Sequence, residues 1–202
     1  MNVTVKRIAF TAVLAAVICA LSPWTIPIGP IPLSLASFGV YIAACIVDWK
    51  TGTISVFSYV VIGAIGLPVF SGGGGGFGKL AGPTGGYIIG YIFCALIIGV
   101  LVDIFGKRRV IGKIIYPLSM IVGTVVLYAF GTFWYMWQTP VAFGAALLVC
   151  VVPFLIGDAV KIAISSVICP TLRKTLKRTL LREKAVANTC KSDGGVDEDK
   201  NN

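Results

Sequence analysis

Six long apolar runs, separated by short polar, glycine-rich or proline-containing stretches, are the feature that most constrains the fold of this chain. The runs are residues 8–21, 33–47, 53–65, 87–102, 114–130 and 140–169. Of the 202 residues, 57% are hydrophobic and 12% are charged, whereas soluble domains average roughly 45–50% and 25%. A soluble globule of this composition would expose much of its apolar surface to water. The sequence therefore predicts an all-α, polytopic integral membrane protein.

The last apolar run is too long for a single span. Pro140 to Cys169 is 30 residues, which is about 45 Å as a continuous helix, whereas a bilayer core is about 30 Å thick. Pro153 divides the run, so we expect a short helix over 140–152 and a sixth span that begins at Pro153 and ends at Pro170. The result is six transmembrane helices, with the glycine-rich stretch 71–86 as an outer loop between spans 3 and 4.

The first run, residues 8–21, has a second interpretation. It follows Lys6 and Arg7 and contains a possible cleavage site at Ile18 to Ala20, a pattern that is also typical of a secretory signal peptide. Equally apolar runs follow it, and a first transmembrane helix accounts for all of them together. We therefore interpret this run as span 1.

The basic residues are divided unequally between the two sides of a six-span chain. Of the 17 lysines and arginines, 15 fall on the side of the termini: Lys6, Arg7, Lys50, Lys107, Arg108, Arg109, Lys113 and eight residues after 170. Lys79 lies on the opposite side, and Lys161 lies inside span 6. The positive-inside rule predicts a multi-pass protein of the cell membrane with cytoplasmic N- and C-termini. The net charge of +9 is therefore explained by orientation in the membrane. We expect the lipid bilayer as a partner of this protein, and no nucleic acid.

Three regions follow from this organisation. Residues 1–170 are the six-helix membrane domain. Residues 171–190 repeat leucine every four positions among arginines and lysines, which predicts a basic amphipathic helix on the cytoplasmic surface. Residues 191–202 are polar and are expected to be disordered. The aromatic belt expected at the outer interface consists of Trp134, Tyr135 and Trp137.

Side chains for catalysis or metal binding are scarce. The chain has no histidine, and none of its 6 cysteines forms a C-x-x-C pair, so we expect no metal site and no catalytic residue. The stretch Gly73 to Lys79 matches most of a phosphate-binding P-loop. It is followed by Leu80 where a Ser or Thr hydroxyl should hold magnesium. We therefore expect no ATP site in this chain.

Asp158 and Lys161 are the informative charges. They are three residues apart on span 6, so they share one helix face, and they lie near the middle of the bilayer. An isolated charge there costs about 3 kcal/mol, and such residues are usually functional. Contact with a ligand is the favoured interpretation, and a mutual structural salt bridge is the alternative.

Small residues repeat every four positions on span 1, at Ala12, Ala16 and Ala20. Such spacing lets another helix approach closely in lipid. A partner protein and a neighbouring helix of the same chain are equally compatible with the spacing alone.

Four motifs occur in the same order as in a known family: Pro30 to Leu35, Gly63 to Phe70 with its glycine run, Gly82-Pro-Thr-Gly-Gly-Tyr87, and Pro153-Phe-Leu-Ile-Gly-Asp-x-x-Lys161. Over about residues 5–172 the chain resembles the BioY family of biotin transporters, the substrate-binding (S) components of energy-coupling-factor (ECF) transporters. The resemblance implies high-affinity biotin binding and uptake without enzymatic activity. It also implies a transmembrane scaffold protein and two ATP-binding subunits as partners, with ATP used by the partners and no cofactor bound by this chain.

The resemblance also implies site residues. Asp158 and Lys161 match the polar pair used for the ligand, and the matching glycine-rich and span 4 elements contribute Thr84, Tyr87, Gly74 and Gly82. The face of Ala12, Ala16 and Ala20 would meet the scaffold. Three positions depart from some members, which carry a glutamine, an asparagine and an arginine where this chain has Ala36, Gly74 and Ile88.

The alternative function is a stand-alone transporter or a membrane enzyme that acts on a related small heterocyclic carboxylate. An enzyme would need a nucleophile or paired acid and base groups. The spans offer only Asp158 with Lys161, so a non-enzymatic transport component is the favoured interpretation.

Overall fold

The computed structural model describes residues 3–27, 31–106 and 111–193, which are mostly helical. The helices of this part of the chain are α1 (Val3–Leu21), α2 (Ala36–Ile46), α3 (Trp49–Ala64), α4 (Phe77–Ala81), α5 (Gly85–Phe105), α6 (Ile111–Gln138), α7 (Phe143–Cys150) and α8 (Val152–Asp193). Two strands of two residues each, β1 (Thr25–Ile26) and β2 (Leu33–Ser34), pair antiparallel between α1 and α2. The helical class is as predicted. The hairpin was not predicted, because two residues are too few to show an alternating pattern.

Each predicted apolar run contains a helix, but the predicted end of the last helix is wrong. The run divides beside Pro153 as expected, into α7 and α8. Pro170, however, lies inside α8, which continues to Asp193. A proline removes only one backbone donor, and membrane helices tolerate this where neighbouring groups satisfy the freed carbonyl. The predicted span and the predicted surface helix are therefore one element, and the backbone of 191–193 is helical; residues 194–202 lie outside the described residues.

Three stretches of the described chain are long and apolar enough to cross a bilayer: Gly85–Phe105, Ile114–Gln138 and Phe143–Leu176. Their most apolar windows are 44%, 50% and 22% buried within the protein, respectively. The last stretch therefore presents most of its apolar surface to the surroundings. α2 is apolar but shorter, at 11 residues.

Helices α5 and α6 form the most extensive contact of the fold, and glycines make their close approach possible. A Cβ on Gly86 of α5 would lie 2.2 Å from the Trp134 side chain of α6. A Cβ on Gly131 of α6 would lie 2.3 Å from the ring of Tyr87 on α5. Because these contacts leave no room for a methyl group, the two glycines set the spacing of the helices and the position of Tyr87.

Only part of the predicted aromatic belt is exposed on the protein surface. Trp134 packs on α5, and its indole N–H donates to the carbonyl of Gly82 at 3.0 Å. Tyr135 is buried, whereas 75% of Trp137 is exposed. All three residues lie on the last turns of α6, which continues past the predicted end of span 5. The helical period turns the first two toward the protein.

The glycine-rich stretch between α3 and α5 contains a hydrogen-bonded turn. The N–H of Phe70 donates to the carbonyl of Gly74 at 2.8 Å, and the N–H of Gly76 donates to Gly63 at 2.7 Å. The short helix α4 follows. The Gly76 bond attaches the turn to Gly63 near the end of α3.

A buried arginine connects α8 to the C-terminal ends of α2 and α5. Arg173 is 6% exposed; it donates to the carbonyl of Cys45 at 3.2 Å and to the carboxylate of Asp103 on α5. The other oxygen of Asp103 accepts the N–H of Trp49 at 2.8 Å. One guanidinium group therefore joins α8, α5 and the last turn of α2.

We predict that Arg173→Met destabilises the folded protein in detergent. The change leaves the carbonyl of Cys45 and the carboxylate of Asp103 without their donor, which costs about 1.5–3 kcal/mol for a bond to a charged group. Thermal unfolding measures the effect. Arg7→Met, at an exposed arginine of α1, is the matched control; equal stability of the two variants would contradict the prediction.

Candidate ligand-binding site

The two charges of span 6 form an ion pair inside the protein. Asp158 and Lys161 are 5% and 7% exposed, respectively, and the Lys161 ammonium lies 3.0 Å from Oδ1 of Asp158. Their spacing on α8 brings both side chains to the same face, as predicted. This face packs against α2.

The ammonium group of Lys161 has three hydrogen-bond acceptors. Besides Asp158, Nζ donates to the carbonyl of Ser34 at 2.7 Å and to Oγ of Ser37 at 2.9 Å. A lysine has three N–H donors, so this set uses its full capacity. Ser34 belongs to β2 and Ser37 to the first turn of α2, so the short hairpin and α2 together position the charge.

The carboxylate of Asp158 accepts bonds from three side chains. Oδ1 accepts from Lys161 and, at 3.2 Å, from the hydroxyl of Ser37. Oδ2 accepts from the hydroxyl of Tyr128 on α6 at 2.7 Å. Ser37 therefore accepts from the lysine and donates to the aspartate. The pair is not an isolated salt bridge, but the centre of a network across α2, α6 and α8.

A small cavity of about 30 Å³ lies beside this network. Asp158, Lys161, Thr84 and Tyr87, four of the predicted site residues, all line it. The wall also includes polar and apolar side chains that were not predicted: Ser34, Ser37, Ser71, Tyr128, Ile88 and Phe154. The cavity therefore combines one charged end with an apolar wall, which suits a small amphipathic ligand.

Tyr87 and Thr84 are positioned by the start of α5. Thr84 precedes the first residue of α5, and its carbonyl accepts the N–H of Tyr87 at 3.1 Å. The Tyr87 hydroxyl donates to the carbonyl of Cys150 at the end of α7, at 2.7 Å. Its ring lies 6.2 Å from that of Phe154. Tyr87 thus presents its ring to the cavity while its polar end is bonded elsewhere.

Gly74 and Gly82 do not line the cavity. The carbonyl of Gly74 closes the turn with Phe70, and the carbonyl of Gly82 accepts from Trp134. Both backbone groups are therefore engaged within the protein, and the cavity is lined from the glycine-rich stretch by Ser71 and Thr84. Among the departures from the family, only Ile88 lines the cavity; Ala36 is fully buried.

The side chains that hydrogen-bond Asp158 and Lys161, Ser37 and Tyr128, were not predicted from the sequence. Ser37 lies one position after Ala36, and Tyr128 lies inside the fifth apolar run. Their signal was a polar atom within a predicted span, which needs a partner in a low-dielectric environment. Among the described residues, no group of three His, Cys, Asp or Glu side chains is placed to hold a metal ion.

Comparison with known proteins identifies the family. The BioY family profile matches residues 1–178. The chain belongs to the BioY family. It is 35% identical over 178 residues to the biotin transporter BioY of Thermotoga maritima, covering 86% of this chain and 97% of that protein. It is 34% identical over 169 residues to the probable biotin transporter BioY of Pyrococcus horikoshii, covering 83% and 96%.

A solved structure shares the fold of this BioY family member. It is the crystal structure at 2.1 Å of the S-component for biotin from an ECF-type ABC transporter. The two chains have a TM-score of 0.75 and are 32% identical, and the match covers 86% of this chain and 95% of that one. BioY proteins are transporters, which confirms that this family member is not an enzyme.

We predict that Lys161→Met destabilises the protein more than Lys161→Met combined with Asp158→Asn. Removing one member of a buried ion pair leaves an uncompensated charge and costs about 3–5 kcal/mol, whereas the double change removes both charges. Thermal unfolding in detergent ranks the variants.

Lys79→Met, outside the network, is the matched control for loss of a lysine. If the single variant were as stable as wild type, the ion pair would not be a structural element of the bundle.

Proposed function

We propose that this chain binds biotin and takes it up across the cytoplasmic membrane, as the substrate-specific component of an ECF transporter energised by partner ATPases. One observation carries the proposal: the Asp158–Lys161 pair of a BioY family member lies beside a cavity that Thr84 and Tyr87 also line. Its similarity to named biotin transporters over more than four-fifths of its length supports the proposal.

The chemistry of the pair matches one polar end of biotin. The ureido group offers two N–H donors and one carbonyl, and the valeryl tail ends in a carboxylate. Asp158 can accept from an N–H, and Lys161 can donate to an oxygen. Because the two side chains are within one helical turn, they serve the same end of the ligand together. The apolar walls at Ile88 and Phe154 suit its sulfur-containing ring and its methylene chain.

Binding then requires the cavity to widen. At about 30 Å³ it has room for about two water molecules, each of which needs roughly 10–15 Å³. The ligand would replace Ser34 or Ser37 as a partner of Lys161, and Tyr128 or Ser37 as a partner of Asp158. The β2–α2 connection and the turn at Ser71 are short segments that pack over the cavity. We propose that they move apart to admit the ligand.

We predict that Asp158→Asn weakens biotin binding by roughly ten- to a hundredfold. The change removes a charge-assisted hydrogen bond, worth about 1.5–3 kcal/mol, and each 1.4 kcal/mol is a factor of ten in affinity. Equilibrium binding of labelled biotin to the purified chain measures the effect.

Asp48→Asn is the control, because Asp48 caps α3 and lies outside the cavity. A folded double variant, Asp158→Asn with Lys161→Met, that binds biotin with near-native affinity would show that the sixth span is not part of the binding site.

The alanines of α1 support the proposed assembly with the ECF scaffold. Ala12, Ala16 and Ala20 are all exposed, whereas Leu14 and Ile18 on the other side of α1 are buried in the core. The small-residue face therefore does not pack within this chain. A flat face of small side chains allows a helix of another protein to approach closely in lipid.

We predict that Ala16→Trp weakens assembly with the scaffold and the two ATP-binding subunits, because the large side chain prevents close helix approach. Co-purification of the complex measures assembly. Biotin binding by the isolated chain should be unchanged. Ala145→Trp, at an exposed alanine of α7, should assemble normally; loss of biotin binding with intact assembly would place the alanine face in the ligand site instead.

We propose a cell-membrane topology of six spans with cytoplasmic termini. The helices α1, α2, α3, α5, α6 and α8 would be the spans, and the 15 basic residues on one side orient them. Gly78→Cys, where a Cβ meets nothing within 4 Å, should react with an impermeant thiol reagent in intact cells, above the wild-type background. Lys50→Cys should not react, and the reverse pattern would invert the topology.

A further inference from the structure

A second, much larger space lies on the other side of the ion pair. It is a groove of about 1190 Å³ between α6, α7 and α8, and it is open to the surroundings. Its walls are almost entirely apolar; they include Ile121 and Val125 on α6, Leu147 on α7, and Leu155 and Ile162 on α8. We call this space the α6–α8 groove. The proposed biotin ligand does not occupy it.

The length of the groove matches the hydrocarbon core of a membrane. On α6 its lining extends from Pro117 to Met136, which is 20 residues and therefore about 30 Å of helix. A bilayer core is about 30 Å thick. The α7–α8 stretch beside the groove has only 22% of its most apolar window buried in the protein. A groove of this length and polarity, open along a membrane-facing helix, fits an extended hydrocarbon chain.

The floor of the groove is also the wall of the ligand cavity. Asp158 and Tyr128 line both spaces, and the bond between them at 2.7 Å closes the gap between α6 and α8. Any occupant of the groove therefore lies next to Asp158 and Tyr128 of the charged network.

A lysine lies on α8 eight residues beyond Ser166, the last lining residue of this helix. Lys174 is exposed and lies eleven residues after Ala163, a residue of the groove wall. Eleven residues are close to three helical turns, so both side chains leave α8 on the same side. Side chains on a helix lean toward its N-terminus, which directs Lys174 back toward the groove. Because Lys174 lies beyond the apolar lining, its ammonium group suits a phosphate headgroup.

We propose that the α6–α8 groove binds an acyl chain of an anionic phospholipid, with Lys174 binding its headgroup. The occupant is a bound lipid in a fixed site, distinct from the lipid that surrounds any membrane protein. The proposal rests on the shape and lining of the groove and on the charge of Lys174, and is independent of the proposed biotin function.

The test uses the full chain in phosphatidylcholine nanodiscs that contain a small fraction of phosphatidylglycerol with a photoreactive acyl chain. After irradiation, mass spectrometry maps the labelled residues. The same photoreactive chain on phosphatidylcholine is the second probe. Labelling should concentrate on Leu155 and Ile162 in the groove rather than on Ile164 and Val167, which are exposed on α8 outside it.

Three variants make the test specific. Ala163→Trp fills the groove and should lower labelling of its walls by about tenfold, or about 1.4 kcal/mol. Ala145→Trp, on α7 outside the groove, should leave labelling unchanged. Lys174→Gln should reduce the preference for phosphatidylglycerol by about fivefold, which corresponds to the ~1 kcal/mol of one lysine near an anionic lipid surface. If Ala163→Trp does not fold, Ala129→Leu on α6 replaces it.

Equal labelling of the groove and the outer face of α8 would overturn the proposal. So would a groove whose labelling is unchanged by Ala163→Trp. Photo-crosslinks from a reactive side chain placed at Leu155 to a second protein chain, instead of to lipid, would assign the groove to a partner. None of these readouts uses biotin, so they remain informative if the chain binds another ligand.

Discussion

A buried charge pair in the middle of an apolar helix bundle is the constraint on which the rest of this structure depends. Asp158 and Lys161 can remain charged there only if their hydrogen-bonding capacity is met inside the protein. Ser34, Ser37 and Tyr128 meet it at distances of 2.7–3.2 Å. These partners come from β2, α2 and α6, so satisfying two charges on α8 fixes the positions of three other elements. The short hairpin places the Ser34 carbonyl beside Lys161.

The same pair explains how a stable bundle can also be a binding site. One partner of Lys161 and one partner of Asp158 can be exchanged for a ligand that offers N–H donors and an oxygen at one end. The exchange keeps both charges hydrogen-bonded, so opening the cavity need not expose a lone charge to the hydrocarbon. Around this centre the helices are closely packed: Gly86 and Gly131 bring α5 against α6, and Arg173 bonds α8 to Asp103 of α5. Movement is therefore expected in the segments at Ser34 and Ser71.

The sequence predicts those features that depend on a local pattern along the chain. It does not predict those that depend on how the helices cross. The apolar runs predict the helices, and the spacing of Asp158 and Lys161 predicts that they share a face. The partners Ser37 and Tyr128 depend on how α2, α6 and α8 cross, which no local pattern encodes. Pro170 shows the limit of a strong local rule, because the helix continues through it. Gly74 and Gly82 were assigned to the site from family likeness, and their carbonyls are engaged by Phe70 and Trp134.

The central claim is that the network around Asp158 and Lys161 is where biotin binds. A crystal structure of the purified chain with biotin tests it most directly. The account predicts one polar end of biotin within hydrogen-bond distance of Asp158 and Lys161, the ring of Tyr87 against the ligand, and the segments at Ser34 and Ser71 farther apart. Biotin bound elsewhere, for example in the α6–α8 groove, with all bonds of the network intact, would contradict the account.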